Sequence, residues 1–126
     1  MEYLKFGLIA LVAIEHIYFL YLEMFLWTKP KGLKVFGQSM EKAVVTKVLA
    51  ANQGLYNGFL AAGLIWALFH PDKQFAVQLQ VFFLGCVVVA AIFAGVTVKR
   101  SILLIQGLPA ILAMIVLVAI ENGFTS

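Results

Sequence analysis

Four long apolar stretches, separated by short polar breaks, account for most of the chain. They cover residues 4–27, 48–69, 75–98 and 102–120. A helix rises about 1.5 Å per residue, so roughly 20 mainly apolar residues are needed to cross about 30 Å of hydrocarbon. Each stretch is close to that length. Lys29-Pro30-Lys31-Gly32 ends the first, His70-Pro71-Asp72 the second, Lys99-Arg100 the third and Glu121-Asn122-Gly123 the fourth. Proline lacks an amide donor and glycine loosens the backbone, so both punctuate helices. The pattern predicts an all-α, integral membrane four-helix bundle, with residues 1–126 forming a single transmembrane domain.

Composition strengthens this reading. Of the 126 residues, 63% are hydrophobic and 12% charged, whereas a soluble domain is about half apolar and about a quarter charged. A chain this small leaves much of its surface outside any core, so lipid must cover the excess. The first stretch contains Glu15, His16 and Glu23 and has no small-residue cleavage site after a short apolar core. It is therefore expected to be a mature helix and not a signal peptide.

The net charge of +3 is concentrated in the connections, which points to a membrane surface and away from nucleic acid. Lys29, Lys31, Lys34, Lys42, Lys47, Lys99 and Arg100 fall on one side of the predicted membrane, against Lys5 and Lys73 on the other. The positive-inside rule then places the basic loop 28–47 in the cytoplasm and both termini outside. Within that loop Val35, Phe36, Met40, Val44 and Val45 alternate with lysines, so part of it could lie on the membrane surface. Alternatively the second helix starts near Ser39, a suitable N-cap, and projects into the cytoplasm; this is the favoured reading. The single cysteine, Cys86, excludes an intrachain disulfide framework and reads as a small buried hydrophobe.

Ionisable groups within a bilayer are costly and hence functional candidates. His16, Phe19 and Glu23 share one helix face by their i, i+3, i+7 spacing. Glu15 points about 100° away from His16, toward the side carrying Tyr18, a possible hydroxyl partner. The second stretch contributes Asn52, Gln53, Tyr56 and Asn57, and the fourth Gln106. Counting depth from the span ends puts Glu23, Asn52, Gln53 and Gln106 in an inner polar layer and Glu15, His16 and Asn57 in a central one. With only two histidines, His16 and His70, and no Glu-x-x-His spacing, no metal site is expected. Gly54-x-x-x-Gly58-x-x-x-Ala62 and Ala91-x-x-x-Gly95 are small-residue stripes that permit close helix approach and often mediate oligomers. Pro109 predicts a kink and a freed carbonyl for Gln106 or a neighbour to satisfy.

Glu15-His16 through Glu23-Met24-Phe25, Asn52-Gln53-Gly54-x-Tyr56-Asn57-Gly58-Phe59-x-Ala61-Ala62-Gly63 and Gln106-Gly107-x-Pro109-Ala110 resemble Domain of Unknown Function 1304, a family of small bacterial four-span proteins. The resemblance covers nearly the whole chain and implies a bacterial cytoplasmic membrane but no activity. Phe83-Leu84-Gly85-Cys86-Val87, Arg100-Ser101 and Gln106-x-x-Pro109-Ala110 are more distantly similar to microsomal prostaglandin E synthase. Asn52 and Phe59-Leu60-Ala61 are similar to the second helix of the same superfamily, the membrane-associated proteins in eicosanoid and glutathione metabolism. That likeness implies a homotrimer binding glutathione and lipophilic substrates between subunits. Cys86 stands where those enzymes carry an arginine, and Val48 and Leu55 where they carry other charged groups. Without those cations a glutathione thiolate has no electrostatic support.

The leading expectation is a small membrane protein binding an amphipathic or lipid-like molecule in polar intersubunit clefts. Glu23, Asn52, Asn57, Gln53 and Gln106 would meet its polar end, and Phe19 and Phe59 its apolar end. Were chemistry to follow, Glu15 or His16 would be the acid–base group; the residues specify no cofactor. Two other readings are a proton-coupled transporter or channel with Glu15 and His16 as relay, and a non-catalytic accessory subunit whose polar groups fix helix packing.

Overall fold

A computed structural model describes residues 1–123, and its regular elements are all helical. They are α1 (Glu2–Phe25), α2 (Pro30–Phe36), α3 (Met40–Phe69), α4 (Lys73–Thr97), α5 (Arg100–Ile102), a π-helical turn (Leu103–Gly107) and α6 (Leu108–Glu121). Three helices are long and apolar enough to cross a membrane: Glu2–Phe25, Lys73–Thr97 and the run Arg100–Glu121. The longest helix, α3, has 30 residues and is not among them. Its first turns carry Glu41, Lys42 and Lys47, and Asn52, Gln53 and Asn57 follow. The three charges lie before the apolar stretch, and within it Asn52, Gln53 and Asn57 lower the apolar content that the pattern from residue 48 onward led one to expect.

The segment 28–47 holds a short helix that was not foreseen, α2, and the first turns of α3, which starts beside Ser39 as the favoured reading placed it. Pro30 occupies the first turn of α2, where a missing amide donor costs nothing. Gly37 closes that helix at φ 60°, a left-handed conformation that glycine adopts without penalty. Ser39 then caps α3 by accepting from the Lys42 amide at 3.2 Å, so the second helix does begin in the polar segment. Trp27 holds the connection in place: its indole N–H donates to Thr46 Oγ1 at 3.1 Å and its ring lies 4.8 Å from that of Phe36. At the opposite end Asp72 caps α4 by accepting from the Phe75 amide.

Ile9, Val12 and Ala13 of α1, Leu64 of α3, Leu84 and Val87 of α4, and Ala110, Ala113 and Leu117 of α6 form the central core. Small residues let the helices approach. A Cβ on Gly54 would sit 2.7 Å from Met24 Cγ and 3.2 Å from the Leu20 carbonyl oxygen, and one on Gly58 would meet the Leu20 side chain. Gly95 faces Leu103, and Gly107 faces Ala91. Most of both small-residue stripes is therefore used in packing within the chain; Ala62 alone of them is exposed.

The fourth stretch is not one uniform helix. Proline at 109 has no N–H for the Ile105 carbonyl and its ring crowds that oxygen. The backbone widens into the π turn over the residues just before it, a local expansion that relieves such a clash. The widened turn carries Gln106, which it leaves buried against the core.

Candidate functional site

The polar groups of α1 meet partners on two different helices, at two depths. His16 is fully buried. Its Nδ1 lies 2.8 Å from the Val12 carbonyl oxygen, which can only accept, so Nδ1 carries the proton. Nε2 is then free to accept from the Gln106 amide nitrogen at 3.1 Å. Phe19, half-buried, packs edge-to-face with the imidazole, the ring centroids 5.3 Å apart. Both ring nitrogens are thus occupied, and the histidine is locked between α1 and the π turn.

Seven residues on, about 10 Å along the helix, Glu23 accepts from Asn57 Nδ2 through Oε1 at 2.5 Å. Both residues are buried. The close approach at Gly54, where Glu23 Cβ would lie 3.1 Å from an added Cβ, brings α3 near enough for the bond. Without that glycine the two backbones would stand farther apart.

These pairings correct the expected layers. Asn57 belongs with Glu23, and Gln106 with His16. Asn52 and Gln53 are exposed on the outer face of α3, with the Asn52 amide bonded back to the Val48 carbonyl at 3.1 Å. Tyr56 and Phe59 share that exposed side, their rings 5.9 Å apart. The Glu15–Tyr18 bond that their spacing would allow is not formed. Tyr18 instead lies beneath Lys31, whose ammonium is 5.5 Å from the ring centroid, and Glu15 Oε1 is a buried oxygen without a hydrogen-bond partner among the described residues. Gln106 does not serve the carbonyl freed by Pro109, because its amide is turned to the imidazole.

Sequence reasoning passed over two further buried polar residues, Lys5 and Gln80. Lys5 pairs with Glu2 at 3.1 Å, one turn away. Gln80 Nε2 donates to the Ala67 carbonyl at 3.3 Å. Four residues beyond Ala67 stands Pro71, which has no N–H to offer that carbonyl, and Gln80 supplies the missing donor from α4. The signal was present as a carboxamide in an apolar run with a proline ending the helix before it. Among the described residues no three His, Cys, Asp or Glu side chains are grouped as metal ligands.

The model of a family described as "Protein of unknown function (DUF1304)" matches residues 10–118. The uncharacterized protein YpaA of Lactococcus lactis subsp. lactis is 35% identical over 117 residues, covering 91% of this chain and 97% of that protein. No solved structure matches the chain.

Proposed function

The chain belongs to the DUF1304 family of proteins of unknown function, and on that premise we propose that it is a four-span membrane protein forming a homotrimer. Its clefts between subunits bind an amphipathic or lipid-like small molecule, with the basic segment around α2 in the cytoplasm and both termini outside. The observation that carries this reading is the outer face of α3, where Asn52, Gln53 and Tyr56 lie exposed beside Phe59. Trp27, of the kind found at membrane interfaces, is bonded to Thr46. Gln53 lies seven residues beyond Thr46, about 10 Å deeper into the apolar layer. Hydrocarbon cannot satisfy a carboxamide there. A neighbouring subunit and the polar end of a bound molecule can, with Phe59 against the apolar end.

The distant likeness to the membrane-associated eicosanoid and glutathione proteins supports the trimer and the intersubunit location. Cys86 in place of an arginine argues against glutathione activation. A benzophenone side chain replacing Gln53 in the full-length protein tests the assembly. Irradiation in native membranes is expected to give a cross-linked ladder ending at three subunits, while the same probe replacing Phe93, exposed on α4, gives none. No cross-linking at position 53 would overturn the proposal.

A second reading is favoured by a specific observation. The Glu23–Asn57 and His16–Gln106 bonds each satisfy one inward polar group with another, as expected where such groups only fix helix packing. In an accessory subunit of this kind, Asn52→Ala would change neither a bound molecule nor the oligomeric state.

A further inference from the structure

The short helix α2 is folded directly against the end of α1. A Cβ on Gly32 would overlap the Leu26 carbonyl oxygen, and Trp27 fixes the connection through Phe36 and Thr46. From this position Lys31 reaches back along α1, and its ammonium lies 5.5 Å from the centroid of the Tyr18 ring. Tyr18 stands eight residues before Leu26, about 12 Å along the helix. A lysine beside an apolar layer ordinarily extends its ammonium outward to water. This one is turned inward.

No carboxylate of the described residues neutralises that ammonium, since the one ion pair among them joins Lys5 to Glu2. The face of Tyr18 attracts the charge but supplies no lone pair to its three N–H donors. Lys34, one turn after Lys31 on the same side of α2, is exposed as well. Beside them Tyr18, Tyr21 and Phe25 share one face of α1 by their i, i+3, i+7 spacing, and all three are exposed. The rings of Tyr21 and Phe25 are 6.0 Å apart. Two cations therefore stand at the head of an exposed aromatic strip, which matches an anionic head joined to an apolar chain.

We propose that the corner between α1 and α2 binds an anionic phospholipid of the leaflet on that side of the membrane. Lys31 and Lys34 hold its phosphate, and Tyr18, Tyr21 and Phe25 line the path of an acyl chain. A headgroup of net negative charge is preferred to a zwitterionic one, because two lysines that no acid neutralises repel a choline or ethanolamine cation. The proposal rests on the membrane reading alone and not on the trimer or the clefts at α3.

The test uses the full-length protein, stripped of lipid in a non-ionic detergent. It is titrated with phosphatidylglycerol or phosphatidylcholine of identical acyl chains, and bound lipid is counted by native mass spectrometry. Phosphatidylglycerol is expected to bind about tenfold more tightly, the scale of one to two lysines acting on an anionic headgroup. Lys31→Gln with Lys34→Gln should remove that preference. Lys99→Gln with Arg100→Gln takes the same charge from exposed positions ahead of the π turn and should leave the preference intact. Asn52→Ala, on the outer face of α3, should also leave it intact, which separates this corner from the clefts. Inorganic phosphate should not displace bound phosphatidylglycerol, since the aromatic strip holds its chain. Equal affinity for the two lipids, a preference surviving Lys31→Gln with Lys34→Gln, its loss in either control variant, or displacement by inorganic phosphate would overturn the proposal.

Discussion

The His16–Gln106 bond yields a quantitative prediction because each partner is buried and each is the other's side-chain complement. In His16→Leu the Gln106 amide loses its acceptor in a dry interior, and in Gln106→Leu the His16 Nε2 loses its donor. An unsatisfied buried polar group costs about 1–3 kcal/mol. Within membranes the measured pair energies are smaller, about 0.6 kcal/mol on average and about 1.7 at most. The membrane figures apply here, since a partly unfolded chain in lipid also finds partners for these groups. Each single variant should therefore lose about 1–2 kcal/mol once the altered packing is included. The double variant removes both polar groups together and should lose less than the sum, with a coupling of about 0.6–1.7 kcal/mol. Unfolding by sodium dodecyl sulfate in mixed micelles, followed by tryptophan fluorescence, measures all four corners of the cycle. Strict additivity would refute the claim that this bond ties α1 to the π turn.

Three further outcomes follow from particular contacts. Gly54→Val drives branched atoms toward Met24 and the Leu20 carbonyl; the same assay should show a loss of about 1–3 kcal/mol typical of overpacking. Ser39→Ala removes the α3 cap, a change worth about 0.5–2 kcal/mol locally, and amide exchange should quicken over residues 41–43 while α4 amides are unaffected. Asn52→Leu with Gln53→Leu touches no partner within the chain except the Val48 carbonyl. It should leave the unfolding of the monomer unchanged within about 0.5 kcal/mol and dissociate the oligomer on size-exclusion chromatography.

Much of the helical outline was legible in the sequence because apolar length and helix punctuation are local properties. Ser39, Pro30 and the breaks at His70-Pro71-Asp72 and Lys99-Arg100 all act on their own neighbours. The pairing of polar residues was not legible to the same degree. Depth counted from span ends treats every helix as starting at the membrane edge, but α3 starts eight residues before the apolar run at 48. Asn57 therefore lands opposite Glu23, and Asn52 and Gln53 lie elsewhere. The π turn likewise depends on how Pro109 is accommodated against α4, through Gly107 and Ala91, a tertiary matter that spacing along one helix does not encode. Gln80 escaped notice for the same reason. The carbonyl it serves belongs to α3, and only the fold brings the two together.

The central claim is an oligomer whose intersubunit clefts hold a small molecule, and native mass spectrometry of the full-length protein in mild detergent tests it most directly. A trimer that retains a defined small molecule, lost in Asn52→Ala, is the expected result. A monomer or dimer with nothing bound would contradict it and leave the polar residues of α1 and α3 as elements of helix packing.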